Sequence, residues 1–398
     1  MGKFWRFVSG LLKFNKVRLL HLLNASHLNS YSKSCAVTLW LPQLFSKARI
    51  EEALKSEQTE KTDAPSFSQL RLPALQRLLS KGQALPLPHK LNPPAAFYRT
   101  ASYLAHQKTF LPIAATMAAA ELADFKAHSN HFWIKVDPVN FVPDRDTLLM
   151  MPPSQLRVTE AESLALVAAF NQHFATEGLR LFYGGPQSWY LSLPQSVDLQ
   201  TTPLEDAIMQ PLLAHSPQGH AASYWLKLMN ETQMLFYSHP VNEVRRQQGL
   251  PEINGVWIWG EGQLDFDQLQ PQPDLKIFAQ SAYLKGLAKL SQAELMENWP
   301  EKCQNPQPRS QIIAENAGKH LFFVKENLIE DLPNFTQAAW LKLLEELEQE
   351  WWQPLLQALK EERIHSLLLL LGNGKQYHIQ PKDLKKFWRF KRSLAKLL

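Results

Sequence analysis

Strands that alternate with helices between residues 35 and 381 predict an α/β fold, with a central mixed, largely parallel sheet covered by helices on both faces. Three observations carry this prediction. Apolar, β-rich runs recur along the chain, at "CAVTLWLP" (35–42), "HFWIKVDPVNF" (131–141), "GVWIWG" (255–260) and "LLLLLG" (367–372). Stretches of helical period lie between them. A chain of 398 residues, 45% hydrophobic and 20% charged, is also long enough to bury a substantial core as one large domain or two ordinary ones.

In order, "CAVTLWLP" alternates and is β-branched enough to be the first strand of the folded body. Residues 50–66 are charged and then turn-rich, giving a short helix and a loop. Helical spacing over 68–82 and 96–107 flanks the proline-rich "ALPLPHKLNPP". "PIAATMAAAELADF" (112–125) has a proline near its start and six alanines, so a helix is expected there. A strand over 131–141 follows, ending in Asp-Pro, and then "TLLMMP". Thr159 and Glu162 make a capping box for a helix over 159–178, stopped by Gly178. "LRLFYGG" and "SWYLSLP" read as a hairpin. A long helix over 220–238 is interrupted at Pro240 and resumes to Gly249. The remainder reads as the "GVWIWG" strand, "DLKIFA", a helix over 281–297 and strands near 311–325. An acidic helix over 335–350, strands 364–371 and 376–380, and a basic helix over 382–398 complete the chain.

Charge is divided unevenly. Residues 1–34 hold six Lys/Arg and no acid, and 382–398 hold seven and one acid. Each end is thus +6, so against a total of +5 the 347 residues between must sum to −7. An acidic body argues against a nucleic-acid groove and leaves the ends to meet an anionic membrane or partner. The pentapeptide "KFWRF" occurs in both ends, at 3–7 and 386–390. Coincidence within two short basic helices is the simpler account, and a shared role at an anionic lipid surface is the other. Residues 1–34 admit three readings: a surface helix, an organellar presequence, or an extension ahead of the true start. They form one segment, 35–381 the α/β body and 382–398 a terminal helix. Cys35 and Cys303 are the only cysteines, so no disulfide framework is expected, which fits a reducing cytoplasm. No run of eighteen apolar residues is present to span a bilayer.

Three segments could carry chemistry. "DPVNFVPDRD" (137–146) places Asp137, Asp144, Arg145 and Asp146 after a strand, where an open sheet gathers ligands; a solvated loop with an Asx turn is the plainer account. In the helix pair, Asn230 and Gln233 are three apart, and His239, Asn242 and either Arg245 or Arg246 share a face if the segment after Pro240 is helical. The third segment is Gly260-Glu261-Gly262 after Trp257 and Trp259, where backbone amides could approach a phosphate or where a tight turn simply ends a strand. G-x-x-x-x-G-K-[ST], H-E-x-x-H and G-x-S-x-G are all missing.

At "DPVNFVPDRDTLLM", "NETQMLFYSHPVNEVRRQQG" and "INGVWIWGEG" the chain resembles a proteobacterial family of RpfE-type regulatory proteins, whose members also go by the name cofactor-independent phosphoglycerate mutase. The likeness covers roughly residues 36–390, and "YLKGLAKL" (283–290) extends it. It implies an alkaline-phosphatase-like plan and a site drawn from Asp137, Arg145, Asp146, Asn230, Glu231, Gln233, His239, Asn242, Arg245, Asn254, Trp257, Trp259, Gly260 and Gly262. Asn140 stands where the family tends to have His, and Gly255 where it tends to have Ser. A mutase of this plan holds two metal ions, here Mn or Mg, on Asp and His ligands. "TLWLPQLFSK" ends the first strand without an acid, and no Asp-His dipeptide occurs, so no ligand set is found. The reading is a regulatory protein that binds a small anionic, phosphorylated ligand, with Asp137 or Glu231 as general base if it is catalytic. Its alternatives are a metal-dependent phosphotransferase or phosphoesterase, and an interaction protein docking through its basic ends.

Overall fold

The computed structural model describes residues 34–59, 67, 69–88, 95–145, 147–297, 309–388 and 394–398. Its larger sheet runs β10 (Glu294–Met296), β9 (Leu275–Phe278), β11 (His320–Val324), β1 (Cys35–Trp40), β12 (Ile364–Leu370), β13 (Lys375–Ile379) and β2 (Gln83–Pro86). The first five are parallel and the last two join antiparallel. A second sheet is wholly antiparallel, in the order β6 (Leu181–Gly185), β7 (Ser188–Leu193), β3 (Phe132–Val139), β8 (Gly255–Gln263). A two-stranded ribbon, β4 (Phe141–Asp144) and β5 (Thr147–Met150), leaves its end. The fold class is the expected mixed α/β one. The strand expected over 131–141 and the hairpin after it belong to this separate sheet, because short antiparallel connections let them close on each other.

The helices of seven residues or more are α1 (Lys47–Thr59), α2 (Pro73–Lys81), α3 (Ala95–Leu104), α4 (Ile113–Glu121), α5 (Glu160–His173) and α6 (Ala222–Tyr237). They continue with α7 (Pro240–Gln247), α8 (Ala282–Leu290), α9 (Arg309–Glu315), α10 (Gln337–Leu347) and α11 (Gln353–Lys360). Helices α2, α10 and α11 cover one face of the large sheet, burying Leu78, Trp340 and Leu355 against Val37, Leu39 and Leu367. Helices α5 and α6 cover the outer face of the small sheet, with Phe170 and Trp225 on Trp189 and Ile258. Between the sheets lies a shared layer of α4 and α8, whose core joins Trp40 and Phe322 of one sheet to Trp133 and Trp259 of the other. Every residue from Ile113 to Ala119 is buried, and a helix buried all round needs no polar face. The alanines of α4 are therefore spacers that let two sheets approach one helix.

Several local expectations are corrected. Helix α8 stops at Leu290 and is followed by β10, where one helix to 297 was expected. Residues 309–315 are helical, and only 320–324 form a strand near that point. The acidic helix does not end near 350 but passes through a π-helical turn, Glu348–Trp352, into α11. That turn delivers the buried Glu348 carboxylate to the amides of Ala74 (2.6 Å) and Leu75 (3.2 Å), satisfying the first turn of α2. Of the basic terminal helix, Pro381–Leu384 and Leu394–Leu397 are helical and 385–388 are not. Residues 1–33, with their copy of the pentapeptide, lie outside the described residues. Cys35 is buried, and burial pushes its thiol up to about 12, which leaves it unreactive. Among the described residues no helix is long and apolar enough to cross a membrane.

At the start of β11, His320 Nε2 meets Thr38 Oγ1 at 2.8 Å and its Nδ1 lies 3.3 Å from His106 Nε2. Burial, and then the neighbouring His106 and His365, lower its pKa to about 3. The unfolded chain therefore takes up this proton first. The corresponding stability is present above about pH 6.5 and is lost as pH falls toward 3. From His320 alone, ~2 kcal/mol should disappear between pH 7 and pH 5. Urea unfolding at both pH values measures this, and His320→Gln should flatten the dependence without abolishing it. Burial also lowers His106, His365 and His378.

Candidate functional site

Strand β3 is buried along its whole length because α4 covers one face and α5 and α6 the other. Asp137 therefore points into protein, not into a loop. It is 4% exposed, accepts a short hydrogen bond from Lys135 Nζ, and accepts a second from Trp259 Nε1 at 2.6 Å. The Lys135 ammonium also sits 5.0 Å over the Tyr190 ring. Around this pair, Tyr190 donates to Glu121 (2.5 Å) and Tyr98 to Glu205 (2.9 Å). Burial, then the adjoining carboxylates, push both phenols well up, and burial pushes Glu205 up. This is a closed polar core that fastens the small sheet to the middle layer.

The glycine pair ends no strand. β8 runs through it to Gln263, and Gly260 and Glu261 together face Ile134 across a bulge. Gly260 takes a left-handed φ of 68°. A Cβ there would stand 3.0 Å from Ile113 Cβ, and one at Gly262 would stand 2.6 Å from Pro112 Cβ. The glycines let the first turn of α4 rest on the strand, leaving no turn for a phosphate. Glu261 turns away to accept the Thr201 amide at 3.1 Å. Trp257 Nε1 donates to the Thr202 carbonyl at 3.0 Å.

His239, Asn242 and Arg245 do share a face, and it is the one facing the protein. His239 caps α7 by accepting the Val241 amide at 3.2 Å, and burial lowers its pKa. Asn242, fully buried, donates to the carbonyls of Phe236 and Ile253 and accepts the Ile253 amide, all at 2.8 Å. Arg245, also fully buried, donates to Glu162 (2.8 Å), to the Pro251 carbonyl (2.7 Å) and to the Leu156 carbonyl. Asn254 binds the Phe141 amide (2.7 Å) and carbonyl (2.9 Å), tying the ribbon to β8. Asn230 is exposed, Glu231 lies 3.5 Å from Lys227 one turn away, and Asp144 and Arg145 are exposed at the ribbon tip. Asp146 lies outside the described residues.

Two of the three segments, 137–146 and the helix pair, nevertheless meet, with Asn254 ahead of β8 beside them, while Gly260-Glu261-Gly262 packs on α4 and takes no part. A cleft of about 740 Å³ opens between the β4–β5 ribbon, the end of α6, and α7 with the loop after it. Phe141, Pro143, Leu148 and Leu250 give it an apolar wall. Asn140, Gln233, Tyr237, Arg246, Glu252 and Asn254 supply the polar one. Gln233 and Asn254 are the two predicted residues that line it. Arg246 follows Arg245 by about 100° of helix, so it faces outward where its neighbour faces in. Its guanidinium lies 3.0 Å from Glu252, 3.7 Å from Glu243 and 5.7 Å from the Tyr237 ring. The Gln233 amide makes no hydrogen bond with any described residue, whereas Asn140 is committed to the Glu252 carbonyl at 2.8 Å. Tyr237 and Glu252 were missed, and Arg246 was offered only as the alternative to Arg245. Arginine at both 245 and 246 was the available signal, and the inward and outward members could not be told apart.

Among the described residues a two-metal site does not fit. At the carboxyl edge of the large sheet the strands end in Trp40, Phe278, Val324 and Leu370, none of which can ligate a metal. Among the described residues no group of three or more His, Cys, Asp or Glu is placed to hold an ion. The one Asp-x-x-x-His spacing, Asp124 to His128, falls in a 3-10 turn ahead of β3 with Asp124 exposed.

No protein-family model matches the chain. A probable 2,3-bisphosphoglycerate-independent phosphoglycerate mutase of Geobacter sulfurreducens is 30% identical over 130 residues, 32% of this chain and 32% of that one. The corresponding enzyme of Methanothrix thermoacetophila is 32% identical over 100 residues, 25% of this chain and 23% of that one. The chain thus matches a third or less of the length of these curated relatives. Among solved structures, the PH0037 protein of Pyrococcus horikoshii shares the fold with a TM-score of 0.54 at 14% identity, covering 87% of this chain and 86% of that one. A cofactor-independent phosphoglycerate mutase from Thermoplasma acidophilum gives 0.47 at 11%, covering 91% and 94%. Similarity over about a third of the chain thus links it to proteins named phosphoglycerate mutases, and the Pyrococcus structure shares its α/β fold.

Proposed function

We propose that this chain is a regulatory relative of the phosphoglycerate mutases that binds a small phosphorylated anion in the cleft between ribbon and helix pair. One observation carries the reading: the β4–β5 ribbon and the helix pair, distant in sequence, meet there and leave a guanidinium, an uncommitted amide and a phenol, at Arg246, Gln233 and Tyr237, on one wall. A phosphate would draw the Arg246 guanidinium from Glu252 and Glu243 into a charge-assisted, bidentate contact. Gln233 and Tyr237 stand one helical turn apart and would donate to its remaining oxygens. The apolar wall suits the carbon skeleton of a small metabolite.

A thermal-shift titration with 3-phosphoglycerate, alongside inorganic phosphate and glycerate, tests this. A saturable rise in melting temperature is expected for the phosphorylated acid, because a ligand at 100 Kd adds about 2.7 kcal/mol to the native state. Arg246→Ala should remove the rise while Arg145→Ala keeps it. No shift with any phosphorylated compound, or a shift that survives Arg246→Ala, overturns the reading. Manganese-dependent conversion of 3- to 2-phosphoglycerate would replace it with a mutase.

A further inference from the structure

The basic carboxyl-terminal segment is not absorbed by the cleft. After the short helix Pro381–Leu384 the chain turns outward and presents Phe387, 82% exposed, and Trp388, 58% exposed. Apolar side chains that large are rarely left in water without a partner. Their rings meet edge-on, with centroids 5.1 Å apart and planes at 86°, forming a wedge and not a flat stacking platform. Lys382, Lys385 and Lys386 precede them in the chain, and helix α2, packed beside this segment, brings Lys81 to the tip, with Arg77 one turn earlier on the same helix. Lys81 donates to the Lys386 carbonyl, which fixes the tip to the body.

The acids near this tip do not cancel its charge. Asp383 is buried beneath it, accepting the Gln380 amide at 2.9 Å and bonding Lys386. Glu362 lies 3.6 Å from Lys385, whose side chain remains 78% exposed. Asp383 and Glu362 stand against Lys382, Lys385 and Lys386, with Lys81 beside them, so the net charge there is positive.

We propose that this tip is a peripheral membrane contact, with Phe387 and Trp388 entering the headgroup region of an anionic bilayer and the neighbouring lysines and arginine facing its lipid phosphates. Aromatic rings at the water–lipid boundary with basic side chains behind them match that layer. Each basic residue near an anionic surface is worth roughly a fivefold gain in partition. The acidic body, −7 over residues 35–381, confines attraction to the ends. A polyanion lying along the protein would be repelled where a planar surface touched only at the tip would not.

Sedimentation of the full chain with vesicles of phosphatidylcholine, with or without about one third phosphatidylglycerol, tests the proposal. Binding to the anionic vesicles only is expected, falling on the order of tenfold when salt rises from 0.1 to 0.5 M. Phe387→Ser/Trp388→Ser should cut partition on the order of tenfold in a chain that also carries Phe4→Ser/Trp5→Ser, since the pentapeptide recurs at 3–7. An unchanged melting temperature shows that these exposed replacements spare the fold, and Lys382→Gln/Lys385→Gln gives an independent check on the charge. Equal binding to both vesicle types, no binding to either, or partition untouched by the aromatic replacements overturns the proposal. So does release from vesicles by an RNA oligomer that needs the same residues.

Discussion

Asp137→Ala is expected to lower the free energy of unfolding by about 3–5 kcal/mol, the usual cost of breaking a buried ion pair from one side. The carboxylate is 4% exposed and holds two buried donors, Lys135 Nζ and Trp259 Nε1. Its removal strands an ammonium in the middle layer and leaves an indole N–H without an acceptor. Asp137→Asn keeps an oxygen for Trp259 and should cost less. Lys135→Met/Asp137→Leu removes both charges and should recover most of the loss, short of the Trp259 hydrogen bond. Urea unfolding of the four proteins decides between a pair that holds the sheet and a base that serves a ligand. A general base would show the reverse pattern: little change in stability with Asp137→Ala, and loss of whatever turnover the protein has.

Asp137 also shows how far the sequence could be read. The strand that holds it was legible, because "HFWIKVDPV" is apolar and β-branched, and so was the helix over 160–173, whose capping box forms between Thr159 and Glu162. These are local signals, settled by residues within one or two turns. The direction of a charged side chain is not local. Lys135 and Asp137 are two apart and so share a face of β3, which hinted at a pair. Whether that face met solvent depended on α4, whose position is set by the glycines of β8 more than a hundred residues later. The same holds for Arg245 and Arg246: helical period placed Arg245 with His239 and Asn242, but only tertiary packing made that face the buried one. Of the three segments expected to meet, the one after β3 and the helix pair share a cleft and Gly260–Gly262 does not, and of the expected side chains only Gln233 and Asn254 line it. The division of strands into two sheets was equally hidden, since alternation of strand and helix says nothing about which strands pair.

Gly286→Ala should be the other severe substitution, at a residue touching no ligand. Helices α4 and α8 form the layer between the sheets, and they cross where Gly286 faces Thr116. A Cβ on Gly286 would stand 1.7 Å from the Thr116 carbonyl oxygen and 2.7 Å from its carbon. Both are backbone atoms of a helix buried on all sides, so no rotamer change relieves the clash. The helices must separate, and with them the sheets they hold, because α4 packs on β3 and β8 while α8 continues into β10 of the other sheet. Overpacking a well-filled interior typically costs 1–3 kcal/mol. With backbone on both sides of the contact, a loss of about 3 kcal/mol or more is expected, despite the better helix propensity of alanine. Differential scanning calorimetry with hydrogen exchange on the same variant makes the test specific. Protection should fall together in α4, α8 and β8, while α10 and α11 on the far face of the large sheet keep more of theirs. A Gly286→Ala protein as stable as the parent would show that the two sheets are not held at this crossing. The glycine of "YLKGLAKL" would then need another explanation than the close approach of two helices.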